Sequence, residues 1–348
     1  MSGGPGGNRS LSAHRIEWMD SLRGFAILMV VAYHATDLTL AFVPDTPGWL
    51  TAPNEALSPF RMATLVLLSG MLARSSMDKG SRTYAMGKLR MIAWPYVVWT
   101  LISVAVVVAG RWFVGNEPDA GGLFLSVLRQ ESYTWFLLYI LCFYLLALAL
   151  RQVPRLPLVF AALVVAALAN DYEYVQRFWY LFAFFIIGDV INQKALVVVG
   201  WVGKAWVLAA CAAGAGASFS YSAFGGEARY SPVWVWSTVA GVLLMIGLAS
   251  KIQGTATSRR LAAIGRESIK YYTVHFVVMF VTVRLLVVVA DLPSVVVVLL
   301  VLLVGIGSGA LATALTRGDS LLNLLFAWPR RPWFRVTNRT AAGSRSDK

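Results

Sequence analysis

The chain has 348 residues, of which 58% are hydrophobic and only 14% charged, with a mean hydropathy of +0.67. A water-soluble domain carries nearer about a quarter charged residues, so a soluble globular enzyme is excluded and lipid must solvate most of this chain. The net charge of +13 does not signal nucleic acid, because no basic run with interleaved aromatics lies on a soluble segment.

Residues 1–17 are Gly/Ser-rich at the start and read as a disordered cytoplasmic tail. Apolar stretches of spanning length then recur ten times, centred near residues 33, 65, 100, 142, 163, 184, 208, 241, 280 and 305. This predicts an all-α, polytopic membrane protein of about ten transmembrane helices, in one domain over residues 18–328. Three stretches are weaker. That near 163 is short and follows Pro154 and Pro157, that near 184 carries Asp189, and that near 208 is rich in Ala and Gly. The basic end, 329–348, reads as a second cytoplasmic tail.

Charge tests the count. With the N-terminus inside, the odd connections hold few cations: none from Pro44 to Asn54, then Arg111 and Arg129, then Arg177, then Arg229, and none around Asp291. The even connections hold the rest, for example Arg74, Lys79, Arg82, Lys88 and Arg90 in one loop and Lys251, Arg259, Arg260, Arg266 and Lys270 in another. The positive-inside rule is met throughout, with both termini cytoplasmic. The first stretch lacks a small-residue cleavage site and reads as a retained span. Ala- and Val-rich helices with abundant Arg fit a multi-pass protein of a cell inner (plasma) membrane.

The first span carries the strongest functional signal, because Asp20, Arg23 and His34 are ionisable groups inside an apolar helix. At about 1.5 Å per residue, Arg23 and His34 lie roughly 16 Å apart, one near a membrane face and the other near the midplane. Asp20 and Arg23, three positions apart, can pair. In the second span Arg61 lies near the outer end, where no topology rule asks for a cation, while Ser69 and Gly70 lie toward the cytoplasmic end and read as a close-packing pair. Glu131, Tyr133 and Trp135 stand at the outer entrance of the fourth span. His275 is the second intramembrane histidine, one to two turns into the ninth span from the cytoplasm, beside Tyr271 and Tyr272. Cys142 and Cys211 fall in apolar runs without disulfide or metal-ligand spacing, and no zinc, P-loop or dinucleotide pattern is present, so no metal is expected.

The run Asp20-Ser-Leu-Arg23-Gly-Phe-Ala-Ile-Leu-Met-Val-Val-Ala-Tyr-His34 resembles the first helix of the integral membrane acyltransferase-3 family, marked by an Arg, ten residues and a His. Further resemblances follow in order: Pro59 to Gly70, Lys88-Leu-Arg90 with Pro95, Tyr96 and Trp99, Trp135-Phe-Leu-Leu-Tyr, Phe184 to Gly188, and Gly265-Arg-Glu-Ser268 to His275. The resemblance covers roughly Trp18 to Trp328. Ala63 departs from it, since fucose O-acetylase-like members tend to have Pro there.

The resemblance implies transfer of an acyl group, usually acetyl, from cytoplasmic acyl-CoA to a hydroxyl on a carbohydrate, glycolipid or related acceptor. His34 is then general base or acyl relay, with Arg23 and Asp20 completing the catalytic set. Imidazole suits the task because its ordinary pKa lies nearest neutrality. Arg82, Lys88, Arg90 and His275 are the candidates for binding the CoA donor. Arg61, Ser69, Glu131 and Trp135 are the candidates for the acceptor. Partners are acyl-CoA, the acceptor and membrane lipids; homodimerisation is compatible with the sequence and nucleic acid is not expected. The competing class is a transporter or flippase with intramembrane Arg and His as relays, against which stands the lack of paired halves.

Overall fold

The computed structural model describes residues 7–78, 80–113, 121–122, 132–289, 291–318 and 320–328, with side chains described from residue 17 onward and not at residue 113. Among them are fifteen α-helices and no strand. Numbered in chain order, they are α1 (Gly7–Phe42), α2 (Gly48–Ala56), α3 (Ser58–Met71), α4 (Ala73–Met77), α5 (Ser81–Lys88), α6 (Trp94–Phe113), α7 (Trp135–Ala149), α8 (Arg155–Leu168), α9 (Glu173–Gln193), α10 (Ala195–Val202), α11 (Ala205–Ala223), α12 (Val235–Lys251), α13 (Ala256–Arg266), α14 (Ser268–Val289) and α15 (Ser294–Leu315). A π-helical turn, Leu89–Ala93, joins α5 to α6.

Each of the ten expected centres falls inside a helix, but length separates them. Six helical stretches are long and apolar enough to cross a membrane: Glu17–Phe42, Ser81–Trp112, Glu173–Gln193, Pro232–Lys251, Ser268–Val289 and Ser294–Leu315. A seventh exists if α10 and α11, bent by 86° at their junction, act as one span. The remaining α3, α7 and α8 have 14, 15 and 14 residues, or about 21–23 Å at 1.5 Å per residue, short of a ~30 Å hydrocarbon core. Proline explains one limit: Pro154 precedes α8 and stops helix from running in from α7. α3 is cut off by Leu57 and Leu72, each with ψ near zero (−6° and −3°), where the chain turns without leaving the helical region.

α3 is the innermost element, with every residue except Ser69 buried. It crosses α9 so closely that a methyl group on Gly70 would overlap the Phe185 carbonyl, and one on Gly188 the Leu67 carbonyl. α1 crosses α13 in the same manner, Gly24 against the Leu261 carbonyl and Gly265 against that of Asp20. Lipid offers no hydrophobic drive between helices, so close backbone approach of this sort is what holds a bundle together. Around the α3–α9 crossing pack Phe143, Phe182 and Phe185, all fully buried, with Phe143 5.6 and 5.9 Å from the other two rings.

Asp189, which marked the sixth span as weak, forms a buried ion pair with Arg155 of α8 at 2.8 Å. The last described segment, Leu321–Trp328, lies along α6, where the Trp94 and Trp99 indoles donate to the carbonyls of Leu324 and Leu325 at 2.6 and 2.9 Å.

Candidate functional site

Val30, Tyr33, His34 and Asp37 recur at intervals of three, one and three, so α1 turns one face containing all four toward a cavity of about 320 Å³. Arg61 and Met62 of α3 close a second side. Tyr133 and Trp135 come from the entrance of α7, Arg177 from the start of α9, and Tyr272 and Phe276 from one face of α14. Arg229 and Tyr230 arrive on the loop before α12, where Tyr230 holds φ at 61°. A bulky residue in that left-handed region is strained, and such strain clusters where a site must be held in shape.

His34 packs against Tyr33, Phe276 and His275, with ring centroids 4.9, 5.1 and 5.3 Å away. Its Nδ1 is buried and has no hydrogen-bond partner among the described residues. His275 is fully buried. Its Nδ1 lies 2.9 Å from the Tyr271 carbonyl, to which it donates, and its Nε2, the bare lone pair of that tautomer, has no partner. Behind it, Tyr133 and Tyr272 are locked: the Tyr133 hydroxyl donates to the Thr273 carbonyl at 2.7 Å and the Tyr272 hydroxyl to the Tyr133 carbonyl.

The cations of the cavity are individually seated. Arg61 is 4% exposed, stacks its guanidinium 4.2 Å from the Tyr33 ring centre and donates from Nη1 to the Asn54 carbonyl at 2.7 Å. Asn54 in turn donates to the Thr36 hydroxyl at 2.9 Å, tying α2 to α1. Arg177 lies 4.3 Å over the Trp135 ring and 3.9 Å from the Glu173 carboxylate.

A second polar group forms eleven residues back along α1. Asp20 sits between Arg23 at 3.7 Å and Arg266 at 3.8 Å. Arg23 reaches across to the Leu68 carbonyl at 3.5 Å. The next carbonyl, that of Ser69, accepts from the Tyr144 hydroxyl at 2.9 Å, and the Lys88 ammonium lies 3.6 Å over the Tyr144 ring. Arg23, Ser69 and Lys88 thus converge on Tyr144.

The residues singled out in the sequence therefore separate. His34, Arg61 and Trp135 line the cavity. Arg23, Asp20 and Lys88 belong to the second group. Ser69, expected with the acceptor, joins that second group instead, through its carbonyl, while its hydroxyl donates back to Leu65 at 2.8 Å. His275, grouped with the donor-binding cations, stands beside His34. Arg82 is exposed on α5 and Arg90 half-buried on the π-helical turn. Glu131 lies outside the described residues.

Tyr33, Asp37, Arg177 and Arg229 were not singled out, although a signal for the arginines existed. Both are cations in connections that the positive-inside rule leaves nearly empty, the same observation that marked Arg61. Among the described residues no group of His, Cys, Asp or Glu has the arrangement to hold a metal ion.

Comparison with curated proteins and with solved structures gives no match. A family model described as an acyltransferase domain matches residues 16–315, from the start of the described side chains to the end of α15, and so takes in the cavity and the Arg23 group together. Arg23, His34, the cavity and the apolar helices that frame them all lie inside that match, and the chain belongs to the acyltransferase-3 family, as a multi-pass membrane acyltransferase.

Proposed function

We propose that the protein is an O-acyltransferase of a cell inner membrane that moves an acyl group, acetyl in the simplest case, from cytoplasmic acyl-CoA to a hydroxyl of a carbohydrate or glycolipid. The observation that carries this reading is the placement of one histidine, His34, in the wall of a sugar-sized polar cavity, on the same continuous helix as Arg23. The Arg23 and Lys88 group receives the donor, with cationic charge for the phosphates of CoA. The thioester arm then runs about 16 Å along α1 to His34, given 1.5 Å per residue.

The acceptor enters the cavity from the end away from Arg23. The His34 imidazole takes the proton of the acceptor hydroxyl as its oxygen attacks the thioester carbonyl, and the departing CoA thiolate takes a proton back from the imidazolium. In the covalent version the imidazole attacks first and CoA leaves as the thiolate; the acceptor oxygen then displaces the imidazole from the acyl carbon, and its proton passes to the thiolate. Both versions need His34. Ten spans with both termini cytoplasmic fit this arrangement, with α3, α7 and α8 then acting as short spans beside longer ones.

The test is transfer of label from acetyl-CoA to cell-envelope glycolipid and polysaccharide fractions, in membranes bearing wild type or His34→Ala at matched expression. Transfer that vanishes in the variant supports the reading. Equal transfer in both removes His34 from the chemistry, and the assignment with it.

A further inference from the structure

Among the described residues that line the cavity three are cations, Arg61, Arg177 and Arg229, and one, Asp37, is a carboxylate, with Glu173 and Glu55 beyond the lining. Arg61 and Arg229 have partners within the protein, the Asn54 carbonyl for one and the Tyr33 hydroxyl for the other. Arg177 differs. It is 8% exposed, yet its Nε and Nη2 are buried with no hydrogen-bond partner among the described residues. Its remaining nitrogen, Nη1, is the one that faces Glu173, at 3.9 Å. The neighbouring Tyr139 hydroxyl donates to the Tyr174 carbonyl at 3.0 Å and its oxygen is a hydrogen-bond neighbour of the Arg177 guanidinium, which still leaves Nε and Nη2 as the buried nitrogens without a partner among the described residues.

Nε and Nη2 together are the side edge of a guanidinium, where two N–H bonds run parallel. That edge matches the two oxygens of a carboxylate or phosphate in a bidentate pair. Buried donors left empty carry a desolvation cost that a bound anion removes. Stacking on Trp135 holds the guanidinium plane in place, so the edge is presented ready for use.

We propose that Arg177 is the anion receptor of this cavity and that the acceptor is an acidic carbohydrate, carrying a carboxylate or a phosphate on the sugar unit that is acylated. The proposal rests on the reading of the cavity as the acceptor site. A volume of about 320 Å³ is at the small end of the ~300–1,000 Å³ range for ligand pockets, which suits one sugar unit rather than a chain.

Two measurements test it. In the first, thermal unfolding of the purified full-length protein is followed with methyl glucuronide, inorganic phosphate or neutral methyl glucoside. One or both anions should raise the midpoint, the glucoside should not, and Arg177→Gln should need at least tenfold more anion for the same rise. Whichever anion acts tells a sugar carboxylate from a phosphate. Arg177→Lys keeps a cation over Trp135 but lacks the fork, and should lose the response as well, which covers the case in which the glutamine variant does not fold. No rise with either anion, or a rise that survives in both variants, overturns the proposal. In the second, labelled acetyl groups transferred to envelope glycans are separated by anion exchange. Label in the acidic fraction supports the proposal, and label confined to the neutral fraction overturns it. Anion binding without transfer to any fraction removes the acyl-transfer reading and leaves Arg177 as an anion receptor, so the two ideas fail separately.

Discussion

His34 on α1 and His275 on α14 bring their imidazole rings to 5.3 Å, and each keeps one ring nitrogen without a partner among the described residues. The Tyr271 carbonyl, 2.9 Å from Nδ1 of His275, holds that ring in one tautomer. His275 therefore carries a lone pair rather than a second N–H on the ring beside His34, and no hydrogen bond joins the two rings among the described residues.

Removing the two histidines should have different consequences. His34→Ala should lower kcat by about 10²–10⁴-fold, the range for loss of a general base. His275→Ala should lower kcat less, with KM for acetyl-CoA unchanged, since the rings around His275 are those of the cavity and not Tyr144 of the Lys88 group. Steady-state kinetics on purified protein separate the cases, and a His275→Ala variant whose only defect is a raised KM for the donor would place His275 with CoA after all.

Lys88 and Arg82 lie six positions apart but only Lys88 is seated, over Tyr144 at 3.6 Å, whereas Arg82 is exposed. Lys88→Ala should raise KM for acetyl-CoA about tenfold, equivalent to about 1.4 kcal/mol. Arg82→Ala should change it less than about twofold, as expected for a screened surface charge. The comparison is made in membranes at one ionic strength.

Arg155 and Asp189 form an ion pair in which both side chains are nearly enclosed, 9% and 3% exposed. Taking away one partner strands the other charge, at a cost of about 3–5 kcal/mol. Arg155→Ala should therefore lower the unfolding midpoint in detergent far more than Arg151→Ala, whose bond to the Ser81 hydroxyl is exposed. Restoring neutrality with the double change Arg155→Met and Asp189→Leu should recover much of the loss.

At the helix crossings, Gly24→Ala, Gly265→Ala, Gly70→Ala and Gly188→Ala each push a methyl group into a facing carbonyl. Each should destabilise by about 1–3 kcal/mol through overpacking. Gly48→Ala, with nothing within 4 Å of the new carbon, should leave the midpoint unchanged. Equal behaviour of all five would mean that the crossings are looser than the structure has them.

Much of this was readable from the chain alone, for definite reasons. Hydropathy located the ten helix centres because lipid solvation imposes apolar runs wherever a helix is wrapped by it. It did not give helix length, since the ends of α3, α7 and α8 are set by local events such as Pro154 and the turns at Leu57 and Leu72. The place of Arg61 and Trp135 at the outer ends of their helices, where they line the cavity, was legible because depth follows from a single helix each. The meeting of His34 with His275 was not, because it depends on how α14 packs against α1. Nor was the packing of Tyr133, placed by the sequence at the entrance of the fourth span, against Tyr272 and Phe276 of a helix more than a hundred residues further along the chain. Nor was the bond from the Tyr144 hydroxyl to the Ser69 carbonyl, which depends on how the two helices pack.

The glycine crossings have a mechanical side as well. α1 is pinned to α13 and α3 to α9 by backbone touching backbone, and both crossings lie near the Arg23 end of the bundle. Such joints have no compressible layer of side chains in which one helix could slide on the other. The two helices of each pair are thereby tied to one another at their crossing by backbone contact rather than by side chains. His34 therefore stands on a helix whose Arg23 end is fixed in place by such a joint.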